Sequence, residues 1–358
     1  MSPAELWARL AADGFVQGAL PEEKSAQGPW FVRVMLGIAG WIGALFLLGF
    51  VGIGFVFIFE NSGFSLFAGA ACCGAGYGLF RSLPENHFAE QFGLALSLAG
   101  QLLIAFGLGQ IIGARSPAVY FAIALVQAAL AYAVPHFLHR VLASAGGGIA
   151  FALGLSVVPL PGFAAPLLCA GLAWVWLDAE RWAGRGALWR PVGYGLLVAL
   201  LLVEAFRTSG MTDWFGIGRR STGWLAAHGP LLGRILGASV LAFVATVLIR
   251  REKLASGSRA ELAAFAGAAA AALASVAMPG LAAALVVLLL GFAVISRIIM
   301  ALGVLGLLGF VSHFYYSLHA SLLAKSAMMA ATGIVLLLVH FAITRGLFSS
   351  GESEADHA

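Results

Sequence analysis

The chain has 358 residues, of which 61% are hydrophobic and only 10% are charged. A soluble domain is about 45–50% apolar and about 25% charged, so this composition excludes an ordinary soluble enzyme or binding module. The net charge of +4 does not indicate nucleic-acid binding, because basic residues in such a chain chiefly mark cytoplasmic loops. Apolar runs of about 20 residues predict an all-α, polytopic transmembrane helical bundle.

The first 30 residues are polar enough to form a cytoplasmic N-terminal segment. Within it, residues 2–14 predict a short amphipathic helix, since Ser2 and Glu5 have the spacing of a capping box and Gly14 can end it. This helix either rests on the membrane surface or docks a partner. We expect no cleavable signal peptide, because the first apolar run is longer than the hydrophobic region of such a peptide.

Twelve apolar runs follow, and each predicts one membrane-crossing helix. They cover approximately residues 34–59, 63–80, 92–113, 116–134, 141–158, 160–177, 191–206, 229–249, 261–278, 280–296, 298–316 and 324–345. The transmembrane domain is therefore predicted over residues 31–346, followed by a disordered cytoplasmic tail at residues 347–358.

The distribution of lysine and arginine predicts the orientation of these spans. With the N-terminus inside, 14 of these residues fall in inner segments and 5 in outer loops. Because basic residues are retained on the cytoplasmic side, both termini are predicted to lie in the cytoplasm.

Similar short glycine links recur at Gly63, Gly162 and Gly280, roughly a third of the chain apart. Each link lies on the predicted outer side. The spacing predicts three parallel four-helix repeats, at residues 31–140, 141–252 and 259–346, related by an axis along the membrane normal. Convergent composition is the alternative explanation, because Gly, Ala and Leu dominate throughout.

Polar residues in or beside the spans are the candidates for function, because a charge near the bilayer centre costs at least ~2.5–3.5 kcal/mol unless it is paired. One hypothesis is an ion pair between Glu204 and Lys325; the alternative is that both side chains snorkel to water at helix ends. The predicted polar seam or cavity comprises Gln101, Arg115, Glu204, Arg234, His313, Tyr315, Tyr316, His319, Lys325 and Ser326.

The glutamines Gln101 and Gln127 within the spans are expected to bond between helices, although Gln101 is also a candidate for the lining of a pathway. No catalytic, metal-binding or cofactor-binding signature is present. His313 and His319 are six residues apart, which is not the spacing of a helical ligand pair. The cysteines Cys72, Cys73 and Cys169 lie in apolar runs and are expected to be buried, so we expect neither an enzyme nor a metal site.

Four stretches carry a family resemblance: GIAGWIGALFLLGF (37–50), NHFAEQFGLALSLAGQ (86–101), PLPG (159–162) and HFYYSLHASLLAKS (313–326). On these the chain resembles a family of bacterial membrane proteins known as domain of unknown function 4401, and its N-terminal part is also similar to the related family 2157. The resemblance implies a polytopic inner-membrane protein, expected beside a small membrane-anchored protein with a GDYxxLxY motif. It implies no activity and no catalytic residue.

Two functions remain open from the sequence. The first is a non-enzymatic component of a membrane complex that binds a small membrane or periplasmic partner, with membrane lipids around it. The second is a transporter or flippase of a small or lipidic solute, which requires a cavity lined by Glu204, Arg234 and Gln101. The sequence does not indicate an oligomeric state.

Overall fold

The structure is a computed structural model of the chain. It describes residues 3–18, 61–83, 86–158, 160, 162–178, 180, 182–210, 223–253, 255 and 257–317, together with positions 31, 35, 38–43, 46, 49, 326, 330, 334 and 337. The α-helices with described bounds are α1 (Pro3–Ala12), α2 (Ser62–Ser82), α3 (His87–Leu108), α4 (Pro117–Ala133), α5 (Phe137–Val157), α6 (Ala164–Leu177), α7 (Gly186–Thr208), α8 (Trp224–Arg251), α9 (Arg259–Ala277), α10 (Leu281–Ala293) and α11 (Arg297–Ser317).

Within the described residues the regular structure is entirely helical, which confirms the all-α prediction. Helices α2, α3, α5, α7, α8, α9 and α11 are long and apolar enough to cross a membrane by length and composition. Shorter apolar helices occur at α4, α6 and α10. The chain is therefore a membrane protein with several candidate spans, and ten of the predicted spans coincide with α2 to α11.

The remaining sequence predictions fall largely outside the described residues. The predicted spans 34–59 and 324–345 are described only at scattered positions, and all of those positions are helical. The predicted tail at residues 347–358 is not described. The predicted N-terminal helix is present as α1. Gly14, two residues after the last residue of α1, has a φ of 75°, which is readily adopted only by glycine.

The chain divides into two compact units. Unit 1 comprises Met1–Ile58 and Gly69–Gly100, and unit 2 comprises Phe59–Ala68 and Gln101–Ala358. In unit 1, α2 and α3 pack backbone to backbone, since a Cβ on Gly76 would lie 2.7 Å from the Gly93 carbonyl oxygen. Small residues at such contacts allow close van der Waals packing, which stabilises helix pairs in a membrane.

Unit 2 is built around the two short helices α6 and α10. Helix α6 is apolar on every side, which is the pattern of a helix enclosed by others. Leu172 of α6, Val286 of α10 and Leu200 of α7 are completely buried in one apolar core. Because this core is closely packed, it holds the ends of the surrounding helices in fixed positions.

Helices α5 and α7 run parallel and form one of the closest helix pairs of unit 2. A Cβ on Gly195 would lie 2.5 Å from Cβ of Ser144, and a Cβ on Gly148 would lie 2.6 Å from Cβ of Ala199. These two contacts set the register, with residue 144 opposite residue 195 and residue 148 opposite residue 199.

Arginines hold together the end of unit 2 at which α5 and α7 begin. The guanidinium of Arg140 donates to the carbonyl oxygens of Ala131 (3.0 Å) and Tyr132 (3.3 Å) at the end of α4, and to that of Ala187 (2.8 Å) in α7. Arg251 at the end of α8 likewise donates to the Leu177 carbonyl oxygen at the end of α6, over 2.8 Å. The opposite end of the same helices carries the candidate site.

Candidate functional site at the polar helix ends

Five helices of unit 2 meet at a narrow cleft. The first turns of α6, α8 and α10 face the last turns of α7 and α9 there. The charged side chains that line the cleft are Glu204, Arg207 and Arg234, and Cys169 and Ser275 lie in its wall. We call Glu204, Arg207 and Arg234 the polar end cluster.

A contact between glycines brings α8 to this cleft. A Cβ on Gly233 would overlap the carbonyl oxygen of Gly162, which lies in the link before α6. Gly162 itself has a φ of 93°, and a Cβ there would lie 2.8 Å from the Gly229 carbonyl oxygen. Because the two backbones touch, Arg234 is carried into the cleft beside the end of α7.

Glu204 and Arg207 form an ion pair on the last turns of α7. The Arg207 Nε donates to Glu204 Oε2 over 3.0 Å, and a guanidinium NH2 group of the same arginine binds the same oxygen. The Glu204 side chain is 8% exposed and that of Arg207 is 27% exposed. A carboxylate buried at the end of a membrane helix requires such a partner, because an unpaired buried charge is strongly destabilising.

Arg234 is half-buried in the cleft and bonds to backbone oxygens. Its Nε donates to the Pro230 carbonyl oxygen over 3.4 Å, and its guanidinium donates to the Val276 carbonyl oxygen over 3.2 Å. Among the described residues that line the cleft, Glu204 is the one carboxylate, and Arg207 already binds it. The polar end cluster therefore carries a net charge of +1.

The cleft is small. Its volume is about 20 Å³, which is room for one or two water molecules. This volume is far below that of a typical small-molecule pocket, about 300–1,000 Å³. In this structure the cleft can receive a single polar group that reaches in from outside, and it is too narrow to pass a solute.

Gln101 does not share this cleft. It is buried in α3, and its Nε2 lies 3.1 Å from Nε2 of the buried His139 of α5. This contact confirms the prediction that Gln101 bonds between helices. Gln127 packs on Gly146 and Gly147 of α5, but its buried Oε1 accepts no hydrogen bond within the described residues.

The other predicted site residues lie outside the cleft or outside the described residues. On the last turns of α11, His313 is exposed and Tyr316 is 79% exposed, and the rings of Tyr315 and Tyr316 lie 5.5 Å apart. Arg115 is exposed in the turn before α4, and Ser326 is exposed. His319 and Lys325 are not described, so the hypothetical ion pair between Glu204 and Lys325 stays a prediction, although Arg207 is already bound to the carboxylate.

Sequence reasoning missed Arg207 as a site residue. The predicted span ended at residue 206, which placed Arg207 in an outer loop, whereas α7 continues to Thr208. The spacing of three residues between Glu204 and Arg207 is the available signal for an ion pair on one helix face. Cys73 and Cys169 are buried, as expected, whereas Cys72 is only half-buried. No group of three or more potential metal ligands occurs in the part of the chain that the structure describes.

Comparisons with known proteins add a family but no activity. The family model described as "Domain of unknown function (DUF4401)" matches residues 29–346, a range that includes α2 to α11. No curated protein matches the chain. No solved structure matches it either.

Proposed function

Because the chain belongs to the DUF4401 family, for which no activity is defined, we propose a function from the geometry of its own helices. The protein is a non-enzymatic component of a membrane complex in a bacterial inner membrane. Its closely packed helices hold the polar end cluster in place, and this cluster binds an acidic group of a small membrane-anchored or periplasmic partner.

The observation that carries this proposal is the excess of positive charge in a cleft too small for a solute. Arg207 is neutralised by Glu204, whereas among the residues that the structure describes Arg234 reaches only the carbonyl oxygens of Pro230 and Val276. A carboxylate from a partner would form a charge-assisted hydrogen bond with Arg234, and such bonds are roughly twice as strong as neutral ones. The GDYxxLxY motif expected from the family resemblance contains an aspartate that supplies this carboxylate.

The proposed orientation places the polar end cluster on the outer side of the membrane. Arg140, Arg185 and Arg251 lie at the end of unit 2 where α7 begins, and Glu204 lies near the end where it finishes. The 23 residues of α7 are about 34 Å long, enough to cross the hydrocarbon core of about 30 Å. The positive-inside rule then favours a cytoplasmic basic end and an outer polar end.

Twelve spans in three repeats remain part of the proposal. Helices α6 and α10 would be the second helices of the second and third repeats. Both are short and buried in the core, and each follows a glycine with positive φ, Gly162 at 93° and Gly280 at 85°. This similarity supports a common origin of these two repeats. The first repeat has no short second helix of this kind, since its second helix, α2, has 21 residues.

A transporter or flippase is less well supported. Such a protein needs a solute-sized path near the middle of the membrane between helices, with polar groups along it. The cleft at Glu204 and Arg234 has a volume of only about 20 Å³, and Gln101 belongs to a separate contact with His139.

The experiment that tests the proposal is co-purification with a defined partner. The tagged chain and a small membrane-anchored GDYxxLxY protein are co-expressed, extracted in a mild detergent and isolated through the tag. We expect Arg234→Gln to reduce the recovered partner at least fivefold, while Arg190→Gln, at the opposite end of α7, leaves recovery unchanged. Equal recovery with both variants, or no recovery with the wild-type chain, would contradict the proposal.

A further inference from the structure

A second recess lies along unit 2, at a distance from the polar end cluster. It is an apolar groove of about 480 Å³ between α4, α5 and α7. Its floor is made of small residues, including Ala128 and Ala131 of α4 and Gly147 and Gly148 of α5. The volume is in the range of sites that bind small organic molecules, about 300–1,000 Å³.

The groove has a charged end and an apolar end. On α7 its lining extends from Arg185 to Leu196, which is about 16 Å along the helix axis. That length is about half of the ~30 Å hydrocarbon core, which is the depth that one acyl chain occupies in a membrane leaflet. At the charged end, the exposed guanidinium of Arg185 makes no hydrogen bond or ion pair within the described residues. Phe151 lies towards the apolar end.

Two buried polar atoms of residues in the groove wall have no hydrogen-bond partner among the described residues. Ser144 is only 8% exposed, and its Oγ has no hydrogen bond within the described residues. The buried Nε1 of Trp189, one turn beyond Arg185, likewise donates to no described group. Buried polar atoms in proteins are normally satisfied, so a ligand in the groove that offered hydrogen-bond acceptors to this wall would satisfy both atoms.

We propose that the groove binds one glycerophospholipid with an anionic headgroup. The phosphate of a headgroup that carries no cation of its own pairs with Arg185, an ester oxygen accepts a hydrogen bond from Trp189, and one acyl chain lies over Gly147 towards Phe151. The order of groups along the groove, a cation first, then hydrogen-bond donors, then an apolar channel, is the order of groups along such a lipid. A neutral, wholly apolar ligand would form no ion pair with Arg185 and would accept no hydrogen bond from Trp189.

The test measures lipid retained by the full-length purified chain. The protein is reconstituted in bilayers of equal parts phosphatidylglycerol and phosphatidylcholine, extracted in mild detergent and analysed by native mass spectrometry. We expect one retained phosphatidylglycerol per chain and at least a tenfold preference over phosphatidylcholine. Arg185→Gln removes the preference, whereas Arg190→Gln, an exposed arginine outside the groove lining, keeps it.

A matched pair of variants tests the position of the acyl chain. Ala128 and Ala129 are neighbouring exposed residues of α4, but only Ala128 lines the groove. Ala128→Phe fills the groove and is expected to reduce the retained lipid at least tenfold, while Ala129→Phe has no effect. Retention that is equal for the two lipids, unaffected by Ala128→Phe, or absent from the wild-type chain would overturn the proposal; absence would indicate that detergent or another segment of the chain occupies the groove.

Discussion

Glu204 and Arg207 lie one helical turn apart on α7, with the Arg207 Nε 3.0 Å from the Glu204 Oε2 and the carboxylate almost completely buried. This ion pair places one neutralised charge pair at the C-terminal end of the helix. It also leaves Arg234, from the neighbouring α8, as the cation that a partner can bind.

The Glu204–Arg207 pair predicts a strongly non-additive double-mutant cycle. Arg207→Gln leaves a buried carboxylate without its partner, and we expect a loss of about 2–3 kcal/mol in the free energy of unfolding, below the 3–5 kcal/mol of a fully buried pair because Arg207 is partly exposed. Adding Glu204→Gln recovers at least half of this loss. Denaturant unfolding in detergent measures all four proteins, and additive losses would mean that the two residues do not interact.

The contact between Gly233 and Gly162 predicts opposite effects for two alanine substitutions on α8. Gly233→Ala places a methyl group against the Gly162 carbonyl oxygen and should destabilise the protein by about 1–3 kcal/mol. Gly237→Ala, one turn further on, meets only Cβ of Ala282 at 3.6 Å, so helix propensity makes it neutral or stabilising by up to about 1 kcal/mol. Thermal unfolding of the two variants compares them directly, and the reverse order would contradict the observed packing.

The contact between Gln101 and His139 predicts that each side chain depends on the other. Gln101→Leu leaves the buried His139 Nε2 without this bond, and we expect a loss of about 1–3 kcal/mol in the free energy of unfolding. The double variant Gln101→Leu with His139→Leu should be more stable than the sum of the two single losses predicts. Leu102→Ala, beside Gln101 on α3 but at a position that is 73% exposed, serves as the control and should change stability by less than about 0.5 kcal/mol.

The proposed orientation predicts which cysteines react from which side of the membrane. Arg115 and Arg190 are both exposed, and they lie at opposite ends of their helices in the proposed topology. In a background without the three native cysteines, Arg115→Cys should react with an impermeant maleimide added to whole spheroplasts. Arg190→Cys should react only after the membrane is opened. The reverse pattern would place the polar end cluster in the cytoplasm.

Hydropathy alone located ten helices well, but it placed the starts of α3, α7 and α8 too late and made α6 and α10 too long. Helix α3 begins at His87, before the predicted start at residue 92, because the side-chain oxygen of Asn86 accepts a hydrogen bond from the Ala89 N–H and caps the first turn. Helices α7 and α8 begin before Pro191 and Pro230, respectively. A window of apolar residues follows the hydrocarbon core of the membrane, whereas the helices extend beyond it.

The candidate site was only partly predictable for a related reason. Glu204 and Arg234 stood out because charges are rare in apolar spans, and the structure places both in one cleft. Their proximity depends on the close approach of Gly233 to Gly162, residues about 70 positions apart whose contact no local pattern indicates. Gln101 is likewise a polar residue within an apolar span, yet it contacts His139 and does not line the cleft.

The most direct test of the proposed function is a charge exchange across the interface. In the co-purification experiment, changing the aspartate of the partner's GDYxxLxY motif to arginine should abolish recovery with the wild-type chain. Combining that partner with Arg234→Asp should restore at least half of the wild-type recovery, because the two charges attract again. Recovery that stays absent with the exchanged pair, while both proteins remain folded and membrane-inserted, would contradict the claim that Arg234 binds the partner's carboxylate.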